Sequence, residues 1–181
     1  MLECQSTGRQ TTAMPAPSLE TIYRTHRQGL FTLALSITGC QSSAEDSVHR
    51  AFTNLSKQPL DQLPDPVAYV YRSVRNASLD TRRRSKRHEM LRESIFNGFV
   101  PPKAECFQQP DSNVLTAERD SLLRKSIDEL PEPCRQIVLL KTFSALTFDQ
   151  VSEVLSIPAK TVATRYRRAL QTLHQKLKGQ L

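Results

Sequence analysis

Apolar residues recur every three or four positions through most of this chain, and no stretch alternates convincingly in the manner of a strand. The first run puts Leu19, Ile22, Tyr23, His26, Leu30, Ala34 and Ile37 on one face, which predicts a helix from Leu19 to Ile37 with Gly39 as its stop. Ser42-Ser43-Ala44-Glu45 has the form of a capping box and predicts a second helix, buried through Val48, Ala51, Phe52 and Leu55. Pro59 to Pro66 reads as a loop. Asp65-Pro66 then looks like an N-cap followed by a first-turn proline, opening a long helix to Arg87. Its inner face holds Val67, Val70, Tyr71, Val74, Ala77 and Ser78. The period lapses between Glu89 and Thr116, where the segments Phe96 to Pro102 and Gln108 to Asp111 predict a flexible linker. It returns from Ala117 to Leu130. After Pro131-Glu132-Pro133 a further helix is expected to bury Ile137, Val138, Leu140 and Phe143.

The last third reads as a helix-turn-helix. Thr147-Phe148-Asp149-Gln150 offers a hydroxyl at the N-cap and an amide three residues on, and Val151, Val154 and Leu155 follow at helical spacing. Ser156-Ile157-Pro158 breaks the pattern. A second helix begins near Ala159, with Val162, Tyr166, Ala169, Leu170, Leu173 and Leu177 on one stripe. Its outer face carries Lys160, Thr161, Thr164, Arg165, Arg167, Arg168 and Gln171, a basic-polar surface suited to a DNA major groove. The expected fold class is all-α: two small helical domains on a flexible linker. The boundaries are a disordered tail at 1–17, a first domain at 18–92, the linker at 93–116 and a second domain at 117–181.

Charge sharpens this picture. The 181 residues carry a formal +7, unevenly distributed. Arg72 to Arg92 holds eight Arg and Lys against Asp80 and Glu89, and Pro158 to Leu181 holds six with no acid. Two basic islands separated by a near-neutral segment suggest two contacts with a polyanion. Cys4, Cys40, Cys106 and Cys134 are scattered, without the spacing of a zinc site, and read as free thiols in a reducing cytoplasm. No cofactor or metal is implied. With no Gly-rich phosphate loop, no Gly-x-Ser-x-Gly and no evident pair of catalytic acids, nothing points to an enzyme. No apolar run approaches the ~20 residues of a membrane span, so membrane insertion is not expected.

Four segments, in order, resemble the extracytoplasmic-function (ECF) sigma factors, promoter-recognition subunits of bacterial RNA polymerase. Ala44-Glu45-Asp46-Ser47-Val48-His49-Arg50-Ala51-Phe52 resembles the family's Ala-Glu-Asp-x-Val-Gln-x-x-Phe segment. Arg75-Asn76-Ala77-Ser78-Leu79-Asp80 with Arg82-Arg83-Arg84 is similar to its Arg-Asn-x-x-x-Asp-x-x-Arg-Arg segment. Glu129-Leu130-Pro131 with Arg135 resembles the opening of its C-terminal domain. Thr161-Val162 and Arg165-x-x-Arg168-Ala169 resemble its recognition helix. The chain departs from the pattern at His49 (usually Gln), Cys134 (usually polar), Ser144-Ala145 (commonly Glu-Gly) and Ser156 (usually Gly). A serine held at positive φ in that turn would cost on the order of 1 kcal/mol.

The resemblance implies a division of roles. Asp46, His49, Arg50, Phe52 and Asn54 would form or support the face that docks on core RNA polymerase. Arg75, Asn76, Asp80, Arg82, Arg83 and Arg87 would grip the minus-10 strand where it melts, and the loop before Pro66 would capture a flipped base. Such capture needs cations for the backbone and a pocket for the base. Lys160, Thr161, Thr164, Arg165 and Arg168 would read the minus-35 duplex. With no further domain in the chain, control is expected in trans, from an anti-sigma factor. The competing reading is a helix-turn-helix regulator that binds DNA as a dimer and never meets polymerase. That protein would carry a ligand or dimerisation domain upstream; here the upstream half has a basic helix of its own.

Overall fold

The computed structural model describes residues 17–95 and 114–178, and side chains within 17–60, 62–91 and 121–178. The expected tail, the core of the expected linker and Phe96 to Pro102 lie outside the described residues. All regular structure among the described residues is helical.

Helix α1, Leu19–Thr38, starts where the Ser18 hydroxyl accepts the Thr21 amide at 3.2 Å. It stops at Gly39, whose φ of 71° and ψ of 5° are the left-handed geometry that glycine adopts cheaply. Helix α2, Gln41–Leu55, begins earlier than the expected capping box. Its N-cap is Cys40, with no side-chain cap bond, because Gly39 turns the chain so sharply that Gln41 is already helical. Ser42 and Ser43 therefore sit inside the first turn. A short 3-10 turn, Leu60–Gln62, leads to α3, Pro66–Ile95. Asp65 caps α3 as expected, accepting the Ala68 amide at 2.9 Å. Helix α3 runs past Arg87, since no Gly or Pro stops it before Gly98 and Glu89, Met90, Leu91 and Arg92 are good helix formers. Helix α4, Val114–Asp128, likewise starts ahead of Ala117, so both ends of the expected linker are helical.

The C-terminal elements are α5 (Glu132–Thr142), α6 (Phe148–Leu155) and α7 (Ala159–Lys178). The Thr147 and Gln150 capping box forms in both directions, at 3.2 and 2.9 Å. Ser156 takes the left-handed conformation outright, φ 56° and ψ 44°, so the turn keeps the glycine geometry in spite of its side chain.

One apolar cluster runs through both halves. Ile22, Leu30, Leu33, Val70, Tyr71 and Val74 join Ile137, Leu140, Leu146, Val151, Val154 and Val162. A smaller cluster of Leu130, Val138, Ala169 and Leu173 closes the C-terminal module. Helix α5 lies between the two, which explains why Gln136 to Leu140 are all buried: a helix covered on every side has no polar face to spare. Three expected core residues are largely exposed. Tyr23 sits at the rim of the first module. Phe143 is the C-cap of α5, beyond its last turn. Leu170 lies beside the α7 seam rather than in it. Leu33 and Ala68 take core positions that were not anticipated.

Candidate nucleic-acid and protein interface

Helix α7 buries Val162, Ala169 and Leu173 and turns its basic face outward. Lys160, Thr164 and Arg168 are exposed, while Thr161 and Arg165 are half-buried at the same face. The Thr164 hydroxyl donates to the Lys160 carbonyl at 2.9 Å. The helix is positioned from beneath by an aromatic stack. Tyr166 meets Phe148 edge-on at 5.8 Å, and the Lys141 ammonium lies 4.7 Å over the Phe148 ring while donating to the Leu146 carbonyl. The turn is tied by the Ser152 hydroxyl, which donates to the Ile157 carbonyl at 2.6 Å. These contacts fix the angle between α6 and α7, which is what a groove-reading helix needs.

On α3 the expected strand-gripping residues divide. Asn76, Asp80, Arg83 and Arg87 are exposed. Arg83 pairs with Asp80 at 3.4 Å along the helix, a solvent-facing pair worth at most about 1 kcal/mol. Arg75 and Arg82 are instead held by the C-terminal module. The Arg75 Nε donates to Gln136 Oε1 at 3.0 Å, Gln136 Nε2 donates to Glu132 Oε1 at 3.1 Å, and Arg82 donates to Glu132 Oε2 at 2.9 Å. The hydrogen bond from Arg82 holds the Glu132 carboxyl below its ordinary range, against the opposing effect of burial. Burial lowers the Arg75 guanidinium, while Glu132 favours its charged form. Further along the seam, Gln150 Nε2 donates to Asp65 Oδ2 at 2.9 Å, just ahead of Pro66.

At the centre of the seam, the Tyr71 hydroxyl lies 3.4 Å from His26 Nδ1 and the two rings meet edge-on at 5.7 Å. Burial pushes the Tyr71 phenol up to about 12, with the neighbouring Ser144 hydroxyl pulling the other way, and burial lowers the His26 imidazole.

The residues expected on the polymerase-docking face are also split. Asp46, His49 and Asn54 are exposed on α2. Arg50 leans toward α3, 3.5 Å from the Thr81 hydroxyl. Phe52 packs edge-on against Tyr23 at 5.0 Å. Phe52 and His49 line a groove of about 680 Å³ between α1 and α2, with Tyr23, Phe31 and Val48, rimmed by Arg27 and Glu45. The α1 side of that groove was not foreseen. Its signal was present in the spacing of Tyr23, Arg27 and Phe31, which recur every fourth residue. Glu132 and Gln136 were also missed, and nothing local to them announces a contact with residues about fifty positions away.

Among the described residues no group of His, Cys, Asp and Glu could hold a metal ion, and Cys134 is a free thiol. No helix there is long and apolar enough to cross a membrane.

Comparison with known proteins finds two family-model matches, one toward each end of the chain. Residues 22–88 match the family model for Sigma-70 region 2, and residues 121–173 match that for Sigma-70 region 4, together more than half of the chain. RNA polymerase sigma factor SigV of Bacillus subtilis is 24% identical over 161 residues, covering 88% of this chain and 90% of that protein. ECF RNA polymerase sigma factor SigE of Mycolicibacterium smegmatis is 25% identical over 162 residues, 89% of this chain and 62% of that one. ECF RNA polymerase sigma factor SigW of Bacillus subtilis is 22% identical over 170 residues, 84% and 85%. Among solved structures, the sigma factor RpoE of Bartonella quintana, crystallised with the anti-sigma factor NepR, shares the fold at a TM-score of 0.57 and 18% identity, over 82% of this chain and 89% of that one.

Proposed function

The chain belongs to the sigma-70 family as an RNA polymerase sigma factor of the ECF type, and we propose that its two modules divide promoter recognition between them. The first module, residues 18–92, binds core polymerase through α2 and engages the minus-10 element through α3. The second, residues 117–181, reads the minus-35 duplex through α7. The observation that carries this reading is the pairing of two basic helices with two matched regions in family order. Arg83, Arg84, Lys86 and Arg87 form an exposed cationic stretch on α3, and Lys160, Arg167 and Arg168 another on α7. A regulator acting without polymerase would have no use for a region 2 module, so that alternative is not favoured.

The protein acts in the cytoplasm, where core polymerase and promoter DNA are found, and works by binding rather than by catalysis of its own. An anti-sigma factor is its natural regulator: the RpoE neighbour was crystallised with one. The groove between α1 and α2, apolar in its floor and charged at its rim, supports a protein partner there. The test is reconstitution. Purified protein added to core polymerase should give transcripts from a discrete start site, with protection of both upstream elements. Transcripts that are independent of the added protein, or protection of the upstream element with no binding to core, would overturn the reading.

A further inference from the structure

We propose that Lys141, on α5 and outside the helix-turn-helix itself, is the positioning residue that sets how sharply α7 reads the minus-35 duplex. The inference rests on the assignment of α7 above. Helix α6 is eight residues long, and both turns beside it hold a residue in the left-handed region: Ala145 before it at φ 51° and Ser156 after it at φ 56°. A Cβ resists that geometry, so such a residue stays there only where its surroundings over-determine it. Each turn has a side chain that does so. The Lys141 ammonium donates to the carbonyl of Leu146, the residue after Ala145. The Ser152 hydroxyl donates at 2.6 Å to the carbonyl of Ile157, the residue after Ser156. Leu146 is fixed from its other side as well: its amide donates to the Leu140 carbonyl at 3.3 Å and its side chain is buried.

Lys141 reaches past the turn to α7. The side chain is half-buried and spends its charge inward, with the ammonium 4.7 Å over the Phe148 ring. The edge of the Phe148–Tyr166 pair closes at 5.8 Å with 66° between the ring planes. Tyr166 adjoins Arg165 and packs against both apolar clusters. Release of the Ala145 turn would therefore tilt α6 at Phe148 and pass the tilt to the segment of α7 that carries Arg165. A side chain aimed at a base edge tolerates little of this, since such a constellation has to be held within ~0.5 Å and ~10–20°. A contact with phosphate tolerates more, because it fixes position without reading a base. Loosening the clasp is expected to cost sequence preference ahead of affinity.

The test compares variants of the full chain on a library of minus-35 duplexes at two salt concentrations. Lys141→Met keeps the length of the stem and removes charge and donor. It is expected to lose at least about fivefold of its preference for the best duplex over single mismatches, with the salt slope unchanged. Lys141→Arg should recover most of that preference, and so should Ala145→Gly added to Lys141→Met, since glycine takes the turn unaided. Unchanged preference, or a loss that neither change recovers, overturns the proposal. So does a uniform loss with the salt slope lowered by about 1, which would make Lys141 a phosphate contact. Should Lys141→Met not fold, Phe148→Leu tests the same relay, and full preference in that variant overturns it. The clasp is also read without DNA. Ala145→Gly should raise the unfolding midpoint more in wild type than beside Lys141→Met, where the turn has already relaxed. Equal gains would show that Lys141 does not hold the turn and overturn the proposal. A wild-type protein with no preference among the duplexes would instead sink the reading of α7, and the unfolding cycle would still decide the clasp.

Discussion

Gly29 and Ser144 approach so closely that any side chain on Gly29 would bring its Cβ to 2.4 Å from the Ser144 hydroxyl oxygen and 2.5 Å from the Tyr71 hydroxyl. Gly29 is buried in the middle of α1, where glycine costs roughly 1 kcal/mol relative to alanine. Its place there follows from packing rather than from helix formation: the C-terminal module needs the space.

Gly29→Ala therefore sets two effects against each other. Helix propensity favours alanine by about 1 kcal/mol, while overpacking a closed seam costs typically 1–3 kcal/mol. The clash is with the short side chain of Ser144 and the tip of a buried tyrosine, neither with much room to move, so destabilisation is expected to win. Denaturant unfolding should show a lower midpoint than wild type, recovered in part by adding Tyr71→Phe. A Gly29→Ala protein more stable than wild type would mean that the seam is loose in solution.

Polymerase docking is predicted to depend on Asp46 and Phe52 for different reasons. Asp46 is exposed, so Asp46→Arg should leave stability within about 0.5 kcal/mol of wild type and still weaken binding to core. Phe52 is half-buried against Tyr23, so Phe52→Ala should cost about 1–3 kcal/mol and loosen the groove. Binding assays on the folded double variant decide the matter. Wild-type affinity would show that this side of α2 does not meet the polymerase.

Local chemistry made most of the helices legible. Gly39, Asp65-Pro66 and Thr147 with Gln150 each mark an end by a mechanism confined to a few residues, and each stands where its chemistry puts it. The α2 start was misplaced because the Ser42 capping box was read as the helix start, whereas the glycine turn at Gly39 sets the N-cap at Cys40 with no side-chain cap bond. Helix α7 was readable because its buried stripe of Val162, Ala169 and Leu173 and the basic face opposite both follow from helical spacing within one element. The partners of Arg75 and Arg82 were not readable. An exposed basic helix and a basic helix docked on a carboxylate have the same sequence, and the choice depends on long-range contacts with Glu132 and Gln136.

Neutralising Arg82 and Arg83 should separate melting from binding. Arg83 is free to reach strand phosphates once it leaves its weak pair with Asp80, and Arg82 becomes free when Glu132 releases it. The Arg82→Ala and Arg83→Ala double variant is expected to slow open-complex formation more than it weakens closed-complex binding, and pre-melted promoter should rescue much of the loss. Equal defects on duplex and pre-melted templates would make these residues general phosphate contacts.

Tyr71 provides an alkaline probe of the seam. Its phenol is raised to about 12, so the folded state favours the neutral form. The unfolded chain ionises near 10, and stability is therefore full below that pH and falls as pH rises from about 10 to 12. Ultraviolet titration of the four tyrosines should show one late component, absent in Tyr71→Phe. Its absence from wild-type protein would place Tyr71 in water and the seam open.

Specificity at the upstream element should come from the N-terminal part of α7. Lys160, Thr161, Thr164 and Arg165 lie within its first two turns, and Arg168 follows one turn after Arg165 on the same face. An arginine aimed at a guanine edge makes two hydrogen bonds, worth about 1–3 kcal/mol of discrimination. An arginine on phosphate adds affinity without discrimination and steepens the salt dependence. A basic helix must be anchored before it can read, so at least one of Arg165 and Arg168 is expected to be a phosphate clamp. Arg168, exposed and further from the N-terminus, is the better placed of the two. Alanine at each position, tested against a library of minus-35 sequences at two salt concentrations, separates the roles. Arg168→Ala should weaken every sequence alike and lower the salt slope by about 1. Change at Lys160, Thr161, Thr164 or Arg165 should alter which sequences are preferred. If all four change affinity and none changes preference, α7 does not read sequence and the recognition assignment fails.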